Sequence, residues 1–200
     1  MNSLLLFAVS LVLVFGLSES APPQDSNAVL DTDGNKVNAG EKYFILPLVR
    51  GRGGGATLIP GSSSCSYDVV QELSEVSRGT PVTFAPVGNK GKAVMLSTDT
   101  TITFTSSGPG SYCPSSYAWK LGPFDVANNR TFIVTGGNSG DNSGSPFKIV
   151  RSMGFYNLIF CPTCITCRFI CRNVGIFIDA NGQRRLAISD DPFLIIFKKV

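Results

Sequence analysis

Short apolar runs separated by turn residues recur along the whole chain and restrict its fold more than any other feature. Each run is rich in β-branched and aromatic side chains and is bounded by Gly, Pro, Asn or Ser. Such runs are typical of strands in a β-barrel or a β-sandwich. The predicted strands span residues 43–49, 56–59, 67–71, 81–86, 93–96, 101–105, 117–121, 131–135, 147–150, 156–160, 174–178, 185–188 and 193–197.

The turn chemistry and the lack of a helical period support the same interpretation. "TDGNK" (32–36) and "DANGQ" (179–183) each contain a pair, Asp-Gly or Asn-Gly, that is suited to a tight reversal. "VVQELSEVSRG" (69–79) comes closest to a 3.6-residue apolar period, but Gly79-Thr80-Pro81 follows at once. We therefore predict an all-β chain, with Trp119 in its core rather than in a ligand platform.

The N-terminus predicts export from the cell. Residues 4–17, "LLLFAVSLVLVFGL", form an apolar run that is short for a membrane span but suits a signal peptide. Ser18 and Ser20 supply small residues for cleavage, although no Lys or Arg precedes the run. We expect a signal peptide over 1–20, a membrane anchor being the alternative, and a single domain over 21–200. The predicted destination is extracellular or, by the same secretory route, the vacuole.

Charge and composition argue against several classes of function. The formal net charge is +3, and the Lys and Arg residues are scattered, so no nucleic-acid partner is expected. No membrane partner is expected once the signal is removed. Histidine is absent, which excludes Ser-His-Asp and Cys-His catalysis and every histidine-based metal site. We therefore expect a protein that is not an enzyme and uses no cofactor.

Two Gly-rich stretches could serve either as binding loops or as surface connections. They are "RGRGGGA" (50–56) and "GGNSGDNSGSP" (136–146). Neither has the following helix or the Gly-Lys-Ser/Thr ending that a phosphate-binding loop requires. We expect ordinary surface connections, with the glycines allowing the backbone to turn tightly between strands.

The segment "CPTCITCRFIC" (161–171) concentrates four of the six cysteines. Four thiolates could hold zinc, and a CxxC pair could act in redox chemistry. A thioredoxin-like role requires a βαβ context that the strand pattern does not offer. In an exported chain an even number of cysteines favours disulfides, so no metal is expected.

Six cysteines allow fifteen connectivities, and the sequence alone does not choose among them. Short reach along the chain favours an outer bridge across a β-hairpin and an inner bridge at its tip. The two remaining cysteines would then pair with each other. The favoured pairs are Cys65–Cys113, Cys161–Cys171 and Cys164–Cys167.

Nine sequence motifs follow one another from about Val29 to Val200. They are "VLDTDGNKVNAGEKYFI" (29–45), "CSYDVVQE" (65–72), "GTPVTF" (79–84), "STDTTITF" (97–104), "YAWKLG" (117–122), "FKIV" (147–150), "YNLIFCP" (156–162), "VGIFID" (174–179) and "RRLAISDDPFLIIFKK" (184–199). In this order they resemble the plant Kunitz-type inhibitors of the soybean trypsin inhibitor family, including its miraculin-like branch. The residues at the family's spacing in the first motif are Asp31, Asp33, Gly34, Val37 and Tyr43.

The resemblance implies a fold and a function. The fold is a disulfide-stapled β-trefoil of twelve strands in three pseudo-repeats related by a pseudo-threefold axis. The function is inhibition of serine endopeptidases of trypsin-like specificity, by an exposed loop that resembles a substrate. The family also implies plant defence and, in its six-cysteine branch, an outer and an inner bridge in the third cluster.

The resemblance places the reactive loop in "PVGNKGKA" (86–93). Lys90 is the candidate P1 residue, Asn89 is the rival by strict alignment, and Lys92 is third. Gly88 and Gly91 flank the candidate bond. Lys or Arg at P1 would pair with a buried Asp of a trypsin-like enzyme. The other interpretation is an ordinary solvated turn.

One position departs from the family's pattern. Inhibitory members that resemble this chain carry an Asn in the N-terminal loop, whose hydrogen bonds brace the reactive loop. The matching position here is Ala39, with Asn38 beside it. The resemblance leaves open whether Asn38 supplies the brace.

Two alternatives to serine-protease inhibition remain at this point. The chain could inhibit a cysteine or aspartic protease, an amylase or a subtilisin through a different loop. It could also be a miraculin-like trefoil that inhibits nothing and instead binds a receptor or a carbohydrate, or serves in storage or defence. Under every alternative, Asn129 in "NRT" is the predicted glycosylation site, because it begins the chain's Asn-x-Ser/Thr sequon.

Overall fold

We describe the protein from a computed structural model of the full chain. The described residues are 27–61, 66–88, 91–105, 117–137, 147–161 and 170–200. Their strands are β1 (Tyr43–Pro47), β2 (Ala56–Pro60), β3 (Tyr67–Gln71), β4 (Val82–Pro86), β5 (Asp99–Phe104), β6 (Ala118–Asp125), β7 (Arg130–Gly137), β8 (Phe147–Ser152), β9 (Phe155–Phe160), β10 (Arg172–Ile178), β11 (Arg184–Ser189) and β12 (Leu194–Lys199). This part of the chain includes no helix with the length and apolar character needed to cross a membrane.

Six of the strands close into a ring. β1 pairs with β4, β4 with β5, β5 with β8, β8 with β9, β9 with β12, and β12 returns to β1, always antiparallel. Alternate side chains of each strand point into the ring, which is why the burial of β1 and β4 alternates along the strand. A closed ring leaves no free strand edge, and this protects the sheet from pairing with other chains.

The other six strands form three hairpins that meet one another beside the ring. The hairpins are β2–β3, β6–β7 and β10–β11, and their strands β3, β7 and β11 pair with one another in a triangle. The pairs that join the hairpins are Asp68 with Val134, Ala187 with Phe132, and Arg185 with Val70. A unit of four strands, two from the ring and two from one hairpin, thus repeats three times, so the predicted β-trefoil is confirmed.

The core fills the ring and the space beneath the hairpins with aromatic and branched side chains. Trp119 is fully buried, with Phe104 and Phe147 at ring-centroid distances of 5.4 and 6.3 Å. Phe84 and Phe197 meet edge to face at 5.4 Å. Each such side chain contributes about 2–3 kcal/mol by leaving water. The prediction that Trp119 lies in the core is confirmed.

Residues 93–96 do not form the strand that the sequence predicts. Ala93 and Met95 each make one isolated bridge, to Asn38 and to Ala28, while Val94 is fully buried between them. The segment has the composition of a strand because it is covered on one face. Its partner is irregular chain, so no continuous ladder forms.

Both predicted tight reversals are present, and the same hydrogen-bonding pattern holds each of them. The Oδ1 atom of Asp31 accepts hydrogen bonds from the backbone N–H groups of Asp33 and Asn35, each at 2.9 Å. Asp179 accepts two backbone N–H bonds in the same pattern at the β10–β11 turn. A carboxylate that caps its own turn in this way fixes the reversal locally.

A disulfide joins Cys161 at the end of β9 to Cys171 just before β10. It therefore staples the base of the third repeat, in the position predicted for the outer bridge. The other four cysteines lie outside the described residues, and their pairing stays a prediction. They are Cys65, Cys113, Cys164 and Cys167.

Candidate functional site

The loop that the family resemblance singles out leaves the barrel at the end of β4. Pro86 pairs with Thr100 as the last residue pair between β4 and β5. One residue later the backbone N–H of Val87 donates to the carbonyl of Asp99 at 2.7 Å. The N-terminal limb of the loop is therefore held by the sheet as far as Val87.

The returning limb is held by the N-terminal segment of the chain. The backbone N–H of Ala39 donates to the carbonyl of Lys92 at 2.7 Å. Val94 then donates to Val37 and accepts from Val29, at 2.8 and 2.9 Å. Because backbone groups make these bonds, the anchoring depends on the path of the chain more than on side chains.

Between the two limbs lie the residues predicted to contain the reactive bond. Gly88 is exposed and has a φ of 70°, a backbone conformation that favours glycine. Gly91 is exposed as well. Asn89 and Lys90 lie outside the described residues, so the assignment of Lys90 as P1 stays a prediction.

The carboxylate of Glu41 contacts three side chains beside the returning limb of the loop. Glu41 lies 2.7 Å from the ammonium of Lys199 and 3.7 Å from that of Lys92, and it accepts a hydrogen bond from the Tyr43 hydroxyl at 3.1 Å. The bond from Lys199, followed by that from Tyr43, lowers the pKa of Glu41 to about 2. Glu41 therefore stays ionised over the range in which proteins normally work, and it links the loop to the last strand.

The Tyr43 hydroxyl connects Glu41 to the backbone of Asn38. Tyr43 is fully buried, and burial raises the pKa of its hydroxyl, so the proton stays on the oxygen. That oxygen donates to Glu41 and accepts the backbone N–H of Asn38 at 2.9 Å. One core side chain thus positions both the carboxylate and the segment that pairs with the loop.

The structure shows which part of Asn38 contacts the loop. Its backbone forms the bridge to Ala93, while its side chain helps to lower the pKa of Glu41. Ala39 contributes through its backbone N–H alone, so here the described brace is made by backbone groups and by Glu41.

Known plant proteins match both the sequence and the fold. The Kunitz family model of legumes, described as trypsin and protease inhibitor, matches residues 29–199. The chain belongs to the plant Kunitz-type inhibitor family. Miraculin of Synsepalum dulcificum is 40% identical over 212 residues, covering 100% of this chain and 96% of that protein.

Two further Kunitz-type proteins agree with this assignment. Kunitz trypsin inhibitor 4 of Arabidopsis thaliana is 40% identical over 194 residues, which is 94% of this chain and 89% of that one. The crystal structure of a Kunitz type trypsin inhibitor from Cicer arietinum superimposes with a TM-score of 0.72 at 30% identity, covering 87% of this chain and 99% of that chain. The predicted function, a plant Kunitz-type protease inhibitor, is confirmed at this level.

Sequence reasoning did not single out Glu41, which the structure places beside the candidate loop. Its partners Lys92 and Lys199 are far away along the chain, and no local motif marks it. A Glu between Gly40 and Lys42 is an ordinary polar sequence and carries no signal. Only the closure of the ring, which brings β12 beside β1, creates the site.

The first Gly-rich stretch forms a packed connection. The backbone N–H groups of Gly54 and Gly55 donate to the carbonyls of Glu72 and Ser77, at 2.8 and 2.9 Å. A Cβ atom on either glycine would clash with the backbone of the 74–78 turn. The glycines are therefore needed for close approach of two loops, while most of 136–146 lies outside the described residues.

The remaining predicted features are a glycan site and the absence of a metal. Asn129 is exposed in the β6–β7 turn with a φ of 50°, one residue before β7 begins. Attachment of a glycan there stays a prediction. Among the ranges that the structure describes, no group of three or more Cys, Asp and Glu side chains could hold a metal ion.

Proposed function

We propose that this Kunitz-type protein inhibits a trypsin-like serine endopeptidase by presenting the loop 86–93 as a substrate, with Lys90 as its P1 residue. The supporting observation is the anchoring of both limbs, at Val87 by the sheet and at Lys92 by the N-terminal segment. A loop held at both ends loses little conformational entropy when it docks, so a modest interface can bind tightly.

The charges around the loop favour Lys90 over Lys92. The ammonium of Lys92 lies 3.7 Å from Glu41, which directs it towards the barrel, even though the side chain is 74% exposed. To enter a specificity pocket, Lys92 would have to give up this partner. Lys90 stands between the two anchored limbs in sequence, at the position that a substrate-like loop presents.

The test is inhibition of trypsin by the mature protein and by single variants. Lys90→Ala should raise the inhibition constant at least about a hundredfold, because a buried, charge-paired anchor carries most of the binding energy. Lys90→Arg should retain inhibition. Lys92→Ala removes the same charge two residues away and is the matched control, with an expected change below about fivefold.

Two results would contradict the proposal. One is full inhibition by Lys90→Ala, which would place P1 elsewhere, with Asn89 the next residue to substitute. The other is a wild-type protein that does not inhibit trypsin at all. Chymotrypsin and papain, assayed in parallel, would then show whether another class of protease is the target.

A second candidate function is a miraculin-like trefoil that inhibits no protease. The observation in its favour is the pair of glycines, Gly88 and Gly91, beside the candidate bond. Glycine adds conformational freedom that a substrate-like loop should avoid. Absence of inhibition against trypsin, chymotrypsin and papain would support this candidate.

We also propose that the chain is exported and processed. Cleavage after Ser20 would leave Ala21 as the first residue, and a glycan on Asn129 would lie on an exposed turn between β6 and β7. N-terminal sequencing of the protein from plant tissue, and a mass shift on enzymatic deglycosylation, test the two steps separately. An N-terminus at Met1 would contradict the first.

A further inference from the structure

A cleft of about 300 Å³ lies at the end of β1 opposite to the Glu41 brace. Its walls come from three parts of the fold: the loop after β1, the β10–β11 hairpin and the turn before β12. Pro47 and Leu194 both line it, and beside them the N–H of Leu48 donates to the carbonyl of Leu194 at 2.9 Å. The cleft shares no residue with the loop 86–93.

The walls of this cleft are apolar and open to water. Val49 and Ile178 are 49% and 56% exposed, although both are branched aliphatic side chains. Ile176, Pro192 and Phe193 continue the same surface. Exposed apolar side chains gathered around a concavity, rather than scattered singly, are typical of a ligand site.

Two guanidinium groups lie at the rim of this apolar surface. Arg52 is exposed and makes no hydrogen bond or ion pair with any residue that the structure describes. The Nε atom of Arg184 donates to Oε1 of Gln71 at 2.8 Å, which holds that side chain in place. Its two terminal nitrogens have no partner among the described residues.

The cleft lining has fewer acidic than basic side chains. Asp191 is the carboxylate among the lining residues, and it forms no ion pair with Arg52 or Arg184. Two cations against one anion leave a positive excess beside an apolar surface. A ligand that matches this combination has an apolar body and a negative charge at one end.

We propose that the cleft binds a small aromatic carboxylic acid. The ring would lie against Ile176 and Phe193, and the carboxylate would face Arg52 and Arg184. A guanidinium presents its donors as a planar fork that fits the two oxygens of a carboxylate. A sugar fits less well, because its hydroxyl groups need several polar partners, and the lining offers chiefly cations and apolar carbon.

The probe is 2-naphthoate, titrated into the mature protein by isothermal calorimetry. Arg52→Gln should weaken binding about tenfold, since a charge-assisted hydrogen bond is lost and the side chain makes no contact needed for folding. Asp191→Asn should tighten binding, because it removes the carboxylate of the cleft lining, which repels an anionic ligand. Arg50→Gln changes the same charge two residues away, outside the cleft lining, and should bind as wild type does.

Three comparisons complete the test. The neutral amide 2-naphthamide should bind at least about tenfold more weakly than the acid, for the same reason as Arg52→Gln. Binding of the acid should weaken as sodium chloride is raised. Lys90→Ala should leave naphthoate binding unchanged, so failure of the protease proposal and failure of this one are distinguishable.

Several outcomes would overturn the proposal. Equal binding of the acid and the amide, or equal loss in Arg52→Gln and Arg50→Gln, would remove the role of the Arg52 charge. Absence of binding at millimolar naphthoate would show that the cleft is not a site for aromatic acids. Sedimentation equilibrium that shows a dimer disrupted by Val49→Ser would assign the surface to a second copy of the chain instead.

Discussion

Replacing Tyr43 with Phe removes one oxygen from the structure and leaves the ring packing in place. The hydroxyl donates to Glu41 at 3.1 Å and accepts the N–H of Asn38 at 2.9 Å. The variant should therefore loosen the segment whose backbone pairs with Lys92 and Ala93, without opening a cavity in the core. Stability and inhibition are expected to fall together.

The size of the effect follows from the two lost hydrogen bonds. A hydrogen bond of this kind contributes about 1 kcal/mol, and a partly buried N–H that loses its partner adds to the cost. We expect the free energy of unfolding to fall by about 1–2 kcal/mol. If the whole loss reaches the docked loop, the inhibition constant rises about five- to thirtyfold.

Urea unfolding followed by tryptophan fluorescence, together with the trypsin inhibition constant, measures both effects. Tyr156→Phe is the matched control, because its hydroxyl also accepts a backbone N–H of the N-terminal segment, that of Leu30, at 3.0 Å. Leu30 is farther along the chain from Ala39 than Asn38 is. Tyr156→Phe should lose similar stability and much less inhibition. Unchanged inhibition by Tyr43→Phe alongside its full loss of stability would refute the reasoning.

Three further predictions concern acid stability, backbone conformation and the disulfide. Because the pKa of Glu41 is lowered from 4.5 to about 2, its contribution is complete above pH 4.5 and is lost as the pH falls towards 2. Glu41→Gln should therefore lower the urea midpoint above pH 4.5 and match wild type near pH 2. Gly79→Ala should cost at least about 2 kcal/mol in urea unfolding, since φ is 74° and a Cβ would meet backbone, whereas Gly34→Ala, with φ of 80° and open space, should cost about 1 kcal/mol. Equal costs would contradict the steric argument. The double change Cys161→Ser and Cys171→Ser opens a bridge with a sequence separation of 10 and should cost about 2.5–3 kcal/mol by calorimetry; an unchanged melting temperature would contradict this.

Much of the fold could be predicted because its signals are local. A strand with one covered face needs apolar residues at alternate positions, and the β4 sequence "VTFAP" begins with that pattern, with Val82 and Phe84 buried on either side of Thr83. Asp31 and Asp179 mark reversals because their carboxylates bond to N–H groups only a few residues away. Position along the chain and position in space coincide for such features.

Prediction from sequence was wrong or incomplete where the interacting residues are far apart along the chain. Residues 93–96 carry a strand's composition, but their partner is the irregular N-terminal segment, which no local pattern reveals. Glu41 became a functional candidate only through Lys92 and Lys199, which approach it from two other parts of the chain. The cleft beside Arg52 and Arg184 is assembled from strands and loops of the first and third repeats in the same way.

The sequence by itself determined the all-β class, the reversals and, through ordered motifs, membership in the Kunitz family. The tertiary structure alone decided that Ala39 braces the loop with its backbone, that Glu41 joins three elements, and that two arginines share one apolar cleft. The physical reason is the distance over which each kind of interaction acts. Turn and strand preferences act over a few residues, whereas hydrogen bonds and ion pairs act over a few ångströms, and only ring closure converts long separations in sequence into short distances in space.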